Sequence, residues 1–146
     1  MAPWQLSRQF LGCRPSVTEA RRFVTTFLLG WPIVEQAELI VSELATNAIR
    51  HSDSGRFGGR FTVRIAAEPT RVRVSVADEG GRGCPAVSTP LDDAESGRGL
   101  FLVASMAQSW GVEGGEYGRV IWASLTIDPP ATRLESVWPG AGAARS

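Results

Sequence analysis

Two neighbouring stretches, Phe61-Thr-Val-Arg-Ile-Ala-Ala and Arg71-Val-Arg-Val-Ser-Val-Ala, alternate apolar and polar residues with period two. A strand patterned in this way has one buried face and one wet face. Glu68-Pro69-Thr70 between them reads as the turn of a hairpin, with Phe61, Val63, Ile65, Val72, Val74 and Val76 on the inner side. A hairpin with a single apolar face needs a second layer to cover it. The preceding sequence supplies one. Val17, Ala20, Phe23, Val24, Phe27 and Leu28 recur at helical spacing, with Ser16 or Thr18 as the expected cap and Gly30-Trp31-Pro32 as the stop. A second helix is expected from about Val34 to His51, its apolar stripe being Ala37, Ile40, Val41, Leu44 and Ala48 and its end Asp53-Ser54-Gly55.

The flanking segments extend the same architecture. Residues 4–10, with Trp4, Leu6, Arg8 and Phe10 on one side, read as an edge strand. After the hairpin, the stretch from Asp78 to Gly97 is rich in Gly, Pro, Ser and acids and too long for an ordinary connection, the signature of a lid or binding loop. Leu100, Val103, Ala104 and Ala107 mark a third helix, and Val112 to Tyr117 with Arg119 to Ile127 read as a final hairpin turned at Gly118. The order predicts an α/β (α+β) two-layer sandwich, helices on one face of a mostly antiparallel sheet. A single domain is expected over 1–128, with a core of about 16–127, and the Pro-, Gly- and Ala-rich residues 129–146 form a flexible C-terminal tail.

Composition removes several function classes. The 15 basic and 15 acidic residues cancel, which leaves no electrostatic footprint for nucleic acid or an anionic membrane. Every basic residue is Arg, so neither a Lys Schiff base nor a Gly-Lys-Ser/Thr phosphate loop exists. His51 is the single histidine, and Cys13 and Cys84 stand far apart, which supports neither a zinc site nor a disulfide framework and fits a reduced, cytoplasmic setting. Met1 opens no signal segment, and Phe23 to Val34 is too short to span a bilayer. The expectation is a soluble cytoplasmic protein with no membrane contact.

Three places carry possible chemistry. Glu43, Asn47 and Arg50 fall at i, i+4 and i+7 on the second helix, with His51 beside them. A carboxylate and a carboxamide one turn apart suit a hard cation and a general base, although by spacing alone such a stripe more often describes a solvated helix face. Asp78 ends its strand just before Gly80, which serves a ligand or a plain turn. Gly97-Arg98-Gly99-Leu100 reads as the opening of the third helix, where free N–H groups meet phosphates or simply start a helix.

Taken together, Glu43-Leu-Ala-Thr-Asn47-Ala-Ile-Arg-His51, Val76-Ala-Asp78-Glu-Gly80 and Ser96-Gly97-Arg98-Gly99-Leu100 resemble, in order and spacing, the N, G1 and G2 boxes of the GHKL (histidine kinase-like) ATPase superfamily. Within it the chain resembles the stand-alone anti-sigma-factor serine/threonine kinases, the likeness extending to Ala20-Arg21-Arg22-Phe23, Ser42-Glu43-Leu44, Trp110-Gly111 and Val120-Ile121-Trp122. The resemblance implies a Bergerat-type ATP-binding fold on a mixed, mostly antiparallel sheet, with ATP and Mg²⁺ as cofactors. By the same resemblance Asn47 ligates Mg²⁺ and Glu43 is the general base. Asp78 accepts from the adenine amino group, with Gly80 against the ring, and Gly97, Arg98, Gly99 and Leu100 form the phosphate-side lid. The implied partners are an antagonist protein phosphorylated on a Ser, a sigma factor, and a second copy of the chain in a homodimer.

One position departs from the family's G1 pattern of Asp-Xaa-Gly-Xaa-Gly: Arg82 takes the place of its second glycine. That change favours the alternative of a non-catalytic, nucleotide-responsive binding module, whereas Glu43 favours the kinase. A two-component histidine kinase is disfavoured, since no phosphoacceptor helix precedes the motifs and His51 lies within one of them.

Overall fold

The computed structural model describes residues 4–52, 58–80, 94–115 and 117–127, with the backbone alone for 94–99. The elements in chain order are β1 (Trp4–Leu11), α1 (Pro15–Phe27), α2 (Val34–His51), β2 (Arg60–Glu68), β3 (Arg71–Asp78), α3 (Ala94–Met106), β4 (Ser109–Gly115) and β5 (Gly118–Thr126). The five strands make one sheet in the order β1-β2-β3-β5-β4. Every neighbouring pair runs antiparallel. The expected two-layer α/β sandwich is thus the architecture found.

The alternation explains the core. Phe61, Val63 and Ile65 of β2 and Val72, Val74 and Val76 of β3 are all buried, in one cluster with Ala37, Ile40, Val41, Leu44 and Ala48 of α2. Register carries the inward phase across to β5, where Ile121, Ala123 and Leu125 lie opposite Val76, Val74 and Val72 and are buried with them. At the β1 end, Phe10 stacks on Phe61 with ring centroids 5.4 Å apart and meets Phe23 of α1 edge-on at 5.9 Å. The residues of opposite phase, among them Arg73 and Trp122, occupy the other face, where the Arg73 guanidinium lies 4.0 Å from the centre of the Trp122 ring.

Helix ends differ from expectation in instructive ways. α1 opens at Pro15 with Arg14 as its cap residue, so neither Ser16 nor Thr18 caps it. Proline is pre-set for the first helical position and lacks the N–H that a cap would satisfy. Ser16 is buried in the first turn, its hydroxyl 3.5 Å from Cys13 Sγ. α2 stops at His51, where Ser52 turns extended and its hydroxyl donates to the Ala48 carbonyl at 2.6 Å. The expected stop Asp53-Ser54-Gly55, the segment 81–93 and the tail from 128 lie outside the described residues. Among the described side chains of α3 the buried one is Val103, with Leu100, Met106 and the following Ala107 partly buried beside it, while Ala104 is exposed.

The last hairpin is also offset. β4 begins at Ser109, and Gly115 pairs with Gly118, so the turn falls at Tyr117 and Gly118 opens β5 instead of turning the chain. Gly114 explains the shift, because it takes φ 91° and a Cβ there would overlap the Gly118 carbonyl oxygen. Gly115, in contrast, faces open space. Gly114→Ala is therefore expected to lower the unfolding free energy by about 1–3 kcal/mol, the usual cost of a strained backbone. Gly115→Ala should stay within about 0.5 kcal/mol of the parent in the same urea titration.

Candidate functional site

Three elements each bring a polar residue into their buried row near one end. On β3 the inward phase Val72, Val74, Val76 arrives at Asp78. On β5 the phase Leu125, Ala123, Ile121 arrives at Arg119, the register partner of Asp78. Towards the C-terminal end of α2 the buried stripe takes in Asn47. The Asp78 and Arg119 side chains are only 1% and 6% exposed, and Asn47 is 9% exposed.

Their polar atoms close on one another. Arg119 Nε donates to Asp78 Oδ2 at 2.9 Å, and Nη2 lies 2.9 Å from the same oxygen. Nη2 also donates to Asn47 Oδ1 at 2.7 Å. The other carboxylate oxygen, Asp78 Oδ1, accepts from the Gly80 N–H at 2.8 Å. Gly80 is buried and takes φ 68°, a conformation glycine adopts freely, and this turns its amide back onto the carboxylate. No buried side-chain nitrogen or oxygen among the described residues lacks a partner.

Of the residues expected to form a site, the fold brings together Asp78, Gly80 and Asn47. Glu43 lies one turn before Asn47 on α2, half-buried, with no hydrogen bond or ion pair to another described residue. His51 is the half-buried last residue of α2. Gly97, Arg98 and Gly99 do not open α3, which begins at Ala94. Ala94 and Glu95 are good helix formers, so the helix starts ahead of the glycines. Only the first four N–H groups of a helix, counted from its cap residue, are free, so Gly97, Arg98 and Gly99 lie past them inside α3. Leu100 packs on the core. Arg82 lies outside the described residues.

Arg119 is the member that the sequence motifs omitted. Its signal was the strand phase: an arginine in step with Ile121, Ala123 and Leu125 faces the core, and a buried charge requires a counter-charge. Asp78 shows the same anomaly on β3, and the two belong to one pair.

The chemistry of the acceptors is unequal. A carboxylate offers about four lone-pair positions, and at Asp78 two of them accept hydrogen bonds, from Gly80 N–H and Arg119 Nε, with Nη2 beside the second oxygen at 2.9 Å. Acceptor capacity remains, of the kind that suits an exocyclic amino donor. Asn47 Oδ1 is bonded to a guanidinium, and that arrangement does not fit a divalent cation at the same oxygen. Among the described residues no three His, Cys, Asp or Glu side chains gather to hold a metal. A concavity of about 510 Å³, lined in part by Thr62, Arg64, Ser75 and Ala77, lies on the opposite sheet face and does not include this cluster.

A buried ion pair that joins two strands to a helix, with acceptor capacity left on its carboxylate, sits at one end of this α/β sandwich. The family model of the histidine kinase-like ATPase domain matches residues 13–125, and the chain belongs to that family. Serine-protein kinase RsbW of Bacillus pumilus is 31% identical over 86 residues, 50% of this chain and 53% of that protein. The chain thus spans about half the length of that kinase. An uncharacterised protein of Streptomyces coelicolor is 33% identical over 108 residues, 73% of this chain and 98% of its own length. Among solved structures, the RsbU and RsbW domains of Rv1364c from Mycobacterium tuberculosis superpose with a TM-score of 0.60 at 15% identity, over 86% of this chain and 33% of that one. At such identity the likeness is one of fold. Among the described residues no helix is long and apolar enough to cross a membrane.

Removing one partner from a buried ion pair leaves an uncompensated charge, at a cost of about 3–5 kcal/mol. Asp78→Ala should therefore lower unfolding stability by about that amount without any ligand present. A loss below about 1 kcal/mol in chemical denaturation would mean that the pair does not hold the strand ends together.

Proposed function

We propose that this chain is an ATP-binding regulatory protein of the serine-kinase type, which transfers a phosphoryl group to a serine on an antagonist protein in an anti-sigma-factor partner-switching circuit of the cytoplasm. The observation that carries it is Asp78: a buried carboxylate at a strand end, fixed by Gly80 and Arg119, with an acceptor position left over, in a chain of the histidine kinase-like ATPase family. The name of the Bacillus pumilus relative, a serine-protein kinase, supports the choice of acceptor. A sigma factor as second partner and a homodimer belong to the same proposal.

The roles follow from position. Asp78 accepts from the adenine amino group, and Gly80, without a side chain, lets the backbone approach the ring. Phosphates meet the N-terminal end of α3, where free amides and the dipole favour anions. Glu43, whose carboxylate has no partner among the described residues, takes the proton of the attacking serine hydroxyl. No step is assigned to a cation on Asn47.

A second reading, the non-catalytic nucleotide-responsive module, is favoured by one observation: Asn47 Oδ1 is engaged by Arg119. Incubation of the chain and its co-purified partner with γ-labelled ATP separates the two. Label on a partner serine supports the kinase, and nucleotide-dependent binding without transfer leaves the module.

Three outcomes are expected of purified protein. In calorimetry ATP should bind in preference to GTP, since a carboxylate acceptor matches the adenine amino donor. Asp78→Asn, checked for folding by thermal unfolding, should lose about ten- to a hundredfold in ATP affinity, the worth of a charged hydrogen bond. Glu43→Gln should bind ATP nearly as the parent does while transfer falls by about 10²–10⁴. Normal turnover in that variant would remove Glu43 from the base role.

A further inference from the structure

The one carbonyl on α2 that a nucleotide-bound cation would use is already bonded to a cation of the chain itself. Arg119 Nη2 donates to Asn47 Oδ1 at 2.7 Å while Nε of the same guanidinium is fixed on Asp78 Oδ2 at 2.9 Å. All three side chains are buried or nearly so, which excludes the water that would screen a second positive charge. A dication on the remaining lone pair of Asn47 Oδ1 would stand within a few ångströms of the guanidinium, and like charges at that range repel.

We propose that Arg119 is a latch on the nucleotide site: its Nη2 and a magnesium ion compete for Asn47 Oδ1, and the metal reaches Asn47 only when the guanidinium lets go. The inference rests on the nucleotide-binding reading above and adds its regulation. Nη2 is shared between Asn47 Oδ1 and Asp78 Oδ2, whereas Nε is on Asp78 alone. Nε stays on Asp78 and acts as a pivot, so the guanidinium leaves Asn47 without stranding the buried carboxylate. Adenine recognition at Asp78 and cation binding at Asn47 are thereby separated, and the first does not require the second. With the latch closed the chain holds ATP with little help from magnesium. With the latch removed, the metal contributes its full share.

Calorimetric ATP affinities, each measured with excess Mg²⁺ and with EDTA, test this on the parent, Arg119→Lys and Arg119→Gln. Lysine keeps a positive charge for Asp78 but has a single ammonium group and cannot reproduce the fork that spans both partners. Glutamine is neutral and shorter, and thermal unfolding checks that each variant is folded. Magnesium is expected to raise the parent's affinity by less than about threefold, and that of either variant by about ten- to a hundredfold, the fold-change corresponding to one charged hydrogen bond no longer broken. Equal magnesium dependence in all three proteins, strong or weak, overturns the latch and leaves nucleotide binding standing. A parent whose affinity rises tenfold or more with magnesium, on the same scale, overturns it without recourse to any variant. Absence of ATP binding by all three proteins in both conditions overturns the nucleotide reading, and the latch with it.

Discussion

The contact between Asp78 and Arg119 sets the terms for much of this molecule. A carboxylate and a guanidinium, both nearly out of water, face each other across the β3–β5 register, and neither is tolerable there without the other. Because Arg119 also reaches Asn47, the same ion pair joins the central strands to α2. The hydrophobic layer beneath is made by alternation and helical periodicity, which fix which faces meet. The polar cluster fixes where, along those faces, the strand ends and the helix come into register.

That placement gives the fold its working end. Apolar side chains fill the space between α2 and the sheet from Val72 to Val76 and from Leu125 to Ile121, and the packing gives way to polar groups at Asp78 and Arg119. At this boundary the packed core meets a carboxylate with unspent hydrogen-bonding capacity, which is why the proposed ligand site is put here. The opposite face, with Arg73 over Trp122, is of another kind and shares no side chain with the cluster.

The sequence made the layers legible because each strand and helix announces its own buried face. Phe61, Val63, Ile65, Val72, Val74 and Val76 alternate without a break, and Ile40, Val41 and Leu44 return every three to four residues. Asp78, Gly80 and Asn47 were visible through motif spacing. Helix starts were less so: Pro15 displaces Ser16 as the opening signal of α1, and the glycines at 97 and 99 concealed a helix that begins at Ala94. The turn at Tyr117 depended on the conformation of Gly114, which composition does not reveal. Arg119 escaped notice for a different reason. Its neighbours in sequence say nothing about Asp78, and only strand register brings the two together.

The central claim is that adenine nucleotide is held at the end of β3, by Asp78 and beside Arg119. It is tested most directly by two-dimensional ¹⁵N–¹H spectra of the labelled protein during a titration with ATP, following the Gly80 amide, the Arg119 Nε–H and the Trp122 indole N–H. The account predicts that the Gly80 and Arg119 signals move together and saturate with one binding curve while Trp122 on the far face stays in place. Movement of the Trp122 indole with Gly80 and Arg119 unchanged would contradict it.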